Sequence, residues 1–170
     1  MRSPAIFCIF LTACGAPPAP TPVPPATNFI ALGGDFDGFA SWDAIDLGEQ
    51  PANGLHLAGH RVVYLNRAPA HGATTFSKGT IAVKVITDPA TLASQVFAMA
   101  KRGPGFNPAG AVGWEWFELA SPTGSPVLKW RGASSPTSGV YAGSNVTCNT
   151  CHQTGRNDSV LTAQLALDSF

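Results

Sequence analysis

Charge is scarce in this sequence, and neither sign prevails. Of 170 residues, 10 are Lys or Arg and 10 are Asp or Glu, so formal net charge is zero. A chain without a basic excess lacks the electrostatic footprint that phosphate backbones attract, which removes the case for a nucleic-acid partner. Internal repeats are missing. The apolar run at residues 5–11 is too short to cross a bilayer as a helix. Cysteine and methionine are sparse, at 4 and 2 residues, so neither a dense disulfide framework nor a methionine-rich surface is available. What remains is 45% hydrophobic, with 18 Gly and 15 Pro. Such a chain can bury one core, and its punctuation favours short strands joined by turns over a helix bundle.

The first 28 residues divide in two. Arg2 precedes the short apolar run, and Leu11, Thr12, Ala13 and Cys14 follow it. Small residues before a cysteine at the end of such a run resemble the lipobox of bacterial lipoproteins, whose signal peptide is cut just before a lipidated cysteine. That resemblance implies a signal peptide at 1–13 and a lipid anchor on Cys14, with membrane contact through the anchor only. Gly15 is not an acidic retention signal, so the periplasmic face of the outer membrane is expected over the inner. A plain signal peptide with an incidental cysteine is the alternative. Pro17, Pro18, Pro20, Pro22, Pro24 and Pro25 make residues 14–28 a spacer of polyproline type. At roughly 3 Å per residue it would hold a domain on the order of 40 Å from the lipid.

The folded domain is expected at 29–170 and is read as mainly β (α+β), an antiparallel sheet with helical segments at the ends. Residues 61–65 form a β-rich run. In 79–87, Ile81, Val83 and Val85 alternate with Ala82, Lys84 and Ile86. Asp88 and Pro89 mark a turn or a helix start, and 94–101 fits strand or helix equally. In 113–119, Trp114, Trp116 and Glu118 face one way while Glu115, Phe117 and Leu119 face the other; 127–130 is a further short strand.

The most specific signal is Cys148, Asn149, Thr150, Cys151, His152, a Cys-x-x-Cys-His sequence near the C-terminus. Thiols at this spacing can add to the two vinyl groups of one haem, and the adjacent histidine can ligate the iron. Export agrees with this, because c-type attachment takes place outside the bacterial cytoplasm. Two other readings exist. A redox-active disulfide expects a βαβ context with the motif early in the domain. Structural zinc expects four ligands, and His56, His60 and His71 have no second closely spaced cysteine pair.

Several segments in order resemble the cytochrome P-460 family, mono-haem cytochromes whose haem is cross-linked to lysine. They are Arg61 through Asn66, the stretch from Phe76 through Gly79 and Thr80 to Lys84, the aromatic strand around Trp114 and Phe117, and the haem motif followed by Asp158, Ser159 and Val160. The resemblance implies a mostly antiparallel fold, a homodimer, haem c attached through Cys148 and Cys151 with His152 on the iron, and an open distal face. It further implies that Lys84 approaches or cross-links the haem and that Arg61 points into the distal pocket. Without it, Lys84 reads as a solvent-facing residue of an amphipathic strand. One departure stands out. Hydroxylamine-oxidising members carry a distal Glu four residues before a Lys, and here Phe97 stands at that spacing from Lys101. A phenyl ring cannot accept the proton that dehydrogenation of hydroxylamine releases. An apolar distal face resembles instead the related cytochromes c-prime-beta, which bind nitric oxide. Glu115 and Glu118 are the substitutes within reach of the same sequence region.

The function expected is therefore binding, with oxidation open, of small nitrogen species such as nitric oxide or hydroxylamine at the haem, with a cytochrome as redox partner. The alternative is a six-coordinate electron-transfer cytochrome, whose sixth ligand would come from Met99, His56, His60 or His71. A non-catalytic lipoprotein scaffold is the third class, and it has no use for the motif.

Overall fold

The computed structural model describes residues 28–122 and 125–170. The expected signal peptide, Cys14 and the proline segment through residue 27 lie outside the described residues. Six strands form one sheet: β1 (Asp43–Gln50), β2 (Gly59–Leu65), β3 (Ile81–Thr87), β4 (Ser94–Lys101), β5 (Trp114–Leu119) and β6 (Leu128–Gly132). Their order in the sheet is their order in the chain, and every pairing is antiparallel. The helical content described is one five-residue helix, α1 (Cys148–His152), and short 3₁₀ turns before β1 and after β6.

Both faces of the sheet are buried, each by a different part of the chain. On one face Ile81, Val83 and Val85 of β3, Val96, Ala98 and Ala100 of β4, and Phe117 and Leu119 of β5 form a cluster with Phe36 and Phe39 from the N-terminal turns. Phe36 meets Phe117 edge to face at 5.1 Å. Burial of such a ring stabilises the fold by about 1.5–3 kcal/mol. On the other face Val63, Leu65, Ala82, Met99, Trp114 and Trp116 pack with Val160, Leu165 and Leu167 of the C-terminal segment. The alternation expected in 79–87 and 113–119 is the division between these clusters. Residues 94–101, open between helix and strand by pattern, form β4, because pairing with β3 and β5 on both sides rewards a period of two.

β1 is a strand that sequence reading did not anticipate. It is an edge, with Asp43, Asp46 and Glu49 exposed, and only Ile45 and Leu47 turn toward the core. Gly48, at φ +65°, sits at a bulge, and its N–H donates to the Asp46 carboxylate at 2.8 Å. Charge and a bulge blunt an edge against further pairing, and the same features erase the alternation that marks a strand. Asp88 and Pro89 belong to a turn: the Asp88 side chain accepts from the Ala90 N–H at 2.8 Å.

The C-terminal segment is tied to the sheet by Asp158. Its carboxylate accepts from Lys101 Nζ at 2.6 Å and from the Phe76 N–H at 2.8 Å, and its carbonyl accepts from Trp114 Nε1 at 2.6 Å. Both charged side chains are 10% exposed. Removing one partner of such a pair leaves an uncompensated buried charge. Lys101→Met and Asp158→Asn are each expected to lose about 3–5 kcal/mol in urea unfolding, and the double variant to lose less than their sum. Additive losses would mean that the two groups do not act as a pair.

Candidate functional site

The second face of the sheet, together with the segment 146–165, encloses a cavity of about 330 Å³. Ligand sites in proteins start at about 300 Å³. Six of the candidate residues, Arg61, Lys84, Phe97, Cys148, Cys151 and His152, all line it. They come from β2, β3, β4 and α1, so the fold gathers what the sequence scatters over 92 positions (61 to 152).

Helix α1 has five residues and is anchored by side-chain hydrogen bonds at its start and along its length. Thr147 caps it, accepting from the Thr150 N–H at 3.2 Å. Asn149 docks it: its side-chain oxygen accepts from Trp116 Nε1 at 3.1 Å and from Asn107 Nδ2 at 2.8 Å. Gly110 permits this approach, since a Cβ there would collide with the Asn149 side chain. Cys148 and Cys151, three residues apart, share one side of the helix, and both are free, half-buried thiols. Burial pushes the Cys148 thiol up to about 11, so it is protonated at neutral pH.

His152 is oriented from behind. Its Nδ1 lies 2.8 Å from the Ser159 carbonyl, so Nδ1 carries the hydrogen and Nε2 the free lone pair. The ring rests on Trp116, centroids 4.6 Å apart. Burial lowers its pKa to about 4, and it is neutral at pH 7. Asp158 and Ser159, which supply that carbonyl, have φ of +48° and +67°, a left-handed conformation uncommon for residues other than glycine. The Lys101 and Phe76 contacts to Asp158 hold them there.

Opposite α1, Lys84 and Phe97 are direct cross-strand partners on β3 and β4. Lys84 Nζ is 2.9 Å from His56 Nε2, and Phe97 meets the His56 ring edge to face at 5.2 Å. Burial, aided by Arg61, lowers Lys84 to about 8. Arg61 donates through Nη2 to the carbonyls of Pro51 and Leu57, at 2.6 and 2.9 Å. Its Nε and the Nδ1 of His56 are buried without a hydrogen-bond partner.

The remaining candidates separate cleanly. Glu115 lies on the face away from the cavity, bound by Arg131 at 2.7 and 2.8 Å and by Arg102 at 3.2 Å. Glu118 is held by Lys129, Trp130 and Tyr141. Neither lines the cavity. Met99 and His56 do, whereas His60 faces Asp46 and Glu49 at the sheet edge and His71 is exposed. In the sequence His56 is one of four alternatives for a sixth ligand, since a lone histidine in a glycine-containing loop has no pattern to distinguish it. Among the described residues, no group of three or more His, Cys, Asp or Glu is arranged to hold a metal ion alone.

Compared with family models, curated proteins and solved structures, the chain matches none.

The Lys84 value sets a pH dependence. Its folded pKa, about 8, lies below the usual 10.5, so the unfolded chain binds more protons between these values. Lys84 alone therefore adds stability as pH climbs from 8 to 10.5, by up to about 3 kcal/mol, while the Cys148 thiol, pushed from 9 to about 11, opposes it above pH 9. Urea midpoints of the chain with free thiols should rise between pH 8 and 9, and Lys84→Met should remove that rise. An identical rise in the variant would assign it to other groups.

Proposed function

We propose that this protein is an exported, lipid-anchored mono-haem c-type cytochrome of the P-460 kind. It binds small nitrogen species such as nitric oxide at an open haem face, and oxidises hydroxylamine weakly or not at all. The observation that carries the reading is the convergence of both motif thiols, the His152 imidazole, Lys84, Arg61 and Phe97 on one cavity.

The donor set fits haem better than a bare ion. A macrocyclic iron group brings its own equatorial nitrogens and asks the protein for an axial ligand. A single neutral imidazole with its Nε2 lone pair exposed by a bond from Nδ1 meets that demand, where zinc would need four ligands. Cys148 and Cys151 would hold the group covalently. Bound haem would supply the iron, an open coordination position and one-electron redox chemistry. Around it, Trp116 and Phe97 exclude water, and Lys84 stands within the cavity at the position where the P-460 resemblance puts the cross-linking lysine. Phe97 leaves that wall without a carboxylate, and the engagement of Glu115 and Glu118 elsewhere supports weak hydroxylamine turnover.

The second reading, a six-coordinate electron carrier, is favoured by the presence of Met99 and His56 in the same cavity. A ferrous absorption spectrum separates the two: red-shifted and high-spin for an open face with a modified haem, low-spin for a carrier.

Expression with a bacterial c-type attachment system tests the assignment. Wild type should retain haem through a denaturing gel, and Cys148→Ala with Cys151→Ala should not. His152→Ala should keep covalent haem and lose the native spectrum. An unchanged spectrum in that variant would reject His152 as the ligand.

A separate assay addresses the missing base. General-base assistance contributes about 10²–10⁴-fold, so wild type should turn over hydroxylamine poorly with an artificial acceptor while binding nitric oxide. Phe97→Glu, checked for folding because the new carboxylate is buried, should gain activity. Rapid turnover by wild type would refute the argument from Phe97.

A further inference from the structure

His56 lies in a loop built to hold it. Asn53 and His56 exchange backbone hydrogen bonds, both 2.9 Å, around Gly54 at φ +58°. Gln95 of β4 grips the residues on either side, donating to the Leu55 carbonyl and accepting from the Leu57 N–H, each at 3.2 Å. Arg61 adds its bonds to the Pro51 and Leu57 carbonyls. The imidazole is thus fixed by three contacts of its neighbours and by the Phe97 ring.

Its two nitrogens differ. Nε2 faces Lys84 Nζ at 2.9 Å. Lys84 is a donor when charged, so Nε2 accepts and the neutral ring carries its hydrogen on Nδ1. Burial with nearby positive charge keeps His56 neutral. That Nδ1–H is the buried atom without a partner. An orphaned buried donor is destabilising, a penalty removed when an acceptor arrives.

The sheet register relates His56 to His152. Ala82, Met99 and Trp116 form one cross-strand row, and Val63, Lys84 and Phe97 the next. Same-face rows are two residues apart, roughly 6–7 Å. His152 rests on Trp116 and His56 on Phe97, so the two imidazoles are anchored against successive rows of one cavity wall.

We propose that His56, through Nδ1–H, is the hydrogen-bond donor to a small oxygen-bearing ligand bound in this cavity, with Lys84 fixing its tautomer and Gln95 and Arg61 fixing its loop. The inference rests on the haem reading above and adds the residue that recognises the ligand. It also argues against His56 as an axial ligand: with Nε2 engaged by Lys84 and Nδ1 protonated, neither nitrogen offers a lone pair.

Carbon monoxide is the probe. A hydrogen bond to its oxygen draws electron density into the C–O antibonding orbital and lowers the C–O stretch. In the ferrous haem-loaded full chain, the infrared stretch should move to higher wavenumber in His56→Leu. His56→Gln, which keeps an N–H donor, should stay near wild type. Ligand dissociation should quicken roughly two- to tenfold in His56→Leu, the loss of one net hydrogen bond. Equal stretches in all three proteins would overturn the proposal. So would a low-spin ferric wild type that becomes high-spin in His56→Leu, which would make His56 an axial ligand. Failure of wild type to attach haem would instead defeat the underlying reading, and this proposal with it.

Discussion

A buried ion pair governs the arrangement of this molecule. Lys101 at the end of β4 holds Asp158 at 2.6 Å, and Asp158 in turn takes the Phe76 N–H. These bonds keep Asp158 and Ser159 in a left-handed turn that neither residue favours. The turn aims the Ser159 carbonyl at His152 and thereby selects which nitrogen of that ring is free. The cost of the strained backbone is met far from the imidazole, by a lysine of the central sheet. Sheet stability and the state of the candidate ligand are therefore one problem.

The cavity owes its character to an interruption in the second apolar face. Leu65, Ala82, Met99 and Trp116 continue a hydrophobic row, but one row along, Lys84 stands between Val63 and Phe97. Arg61 follows two residues before Val63 on β2. Burial, with the nearby Arg61 charge, depresses Lys84 to about 8, and burial with the Lys84 charge holds His152 at about 4. The wall so formed has donors and an amine that is easier to deprotonate than an exposed lysine, with no carboxylate among the residues described. Both glutamates of β5 serve the scaffold: Glu115 gathers two arginines on the far face, and Glu118 gathers Lys129, Trp130 and Tyr141. His56 faces this wall with its Nε2 engaged by Lys84 and its Nδ1 unpartnered, so it adds a donor and no proton acceptor.

Much of this was legible in the residues. The strands at 79–87 and 113–119, and the side each residue takes, follow from a period of two, which local sterics impose whatever the fold. The spacing of Cys148, Cys151 and His152 determined that two sulfurs and an imidazole would lie together, because three residues make nearly one helical turn. β1 escaped because an edge strand faces water, and a bulge at Gly48 breaks its rhythm. The two readings open for 94–101 were closed only by the neighbours that pair with it.

Tertiary structure alone decided which scattered residues share a wall. Nothing in the order of the chain separates His56 from His60, yet one lines the cavity and the other meets Asp46 and Glu49 at the surface. Nothing local shows which of Glu115 and Phe97 faces the site, yet alternation in adjacent strands sends one to each side of the sheet. The reason is physical. Secondary structure arises from interactions between residues a few positions apart, which a sequence displays directly. Proximity between β2, β3, β4 and α1 depends on which apolar faces bury one another, and the tautomer of His152 depends on the Ser159 carbonyl, in a turn whose Asp158 carboxylate is bound by a lysine 57 positions away.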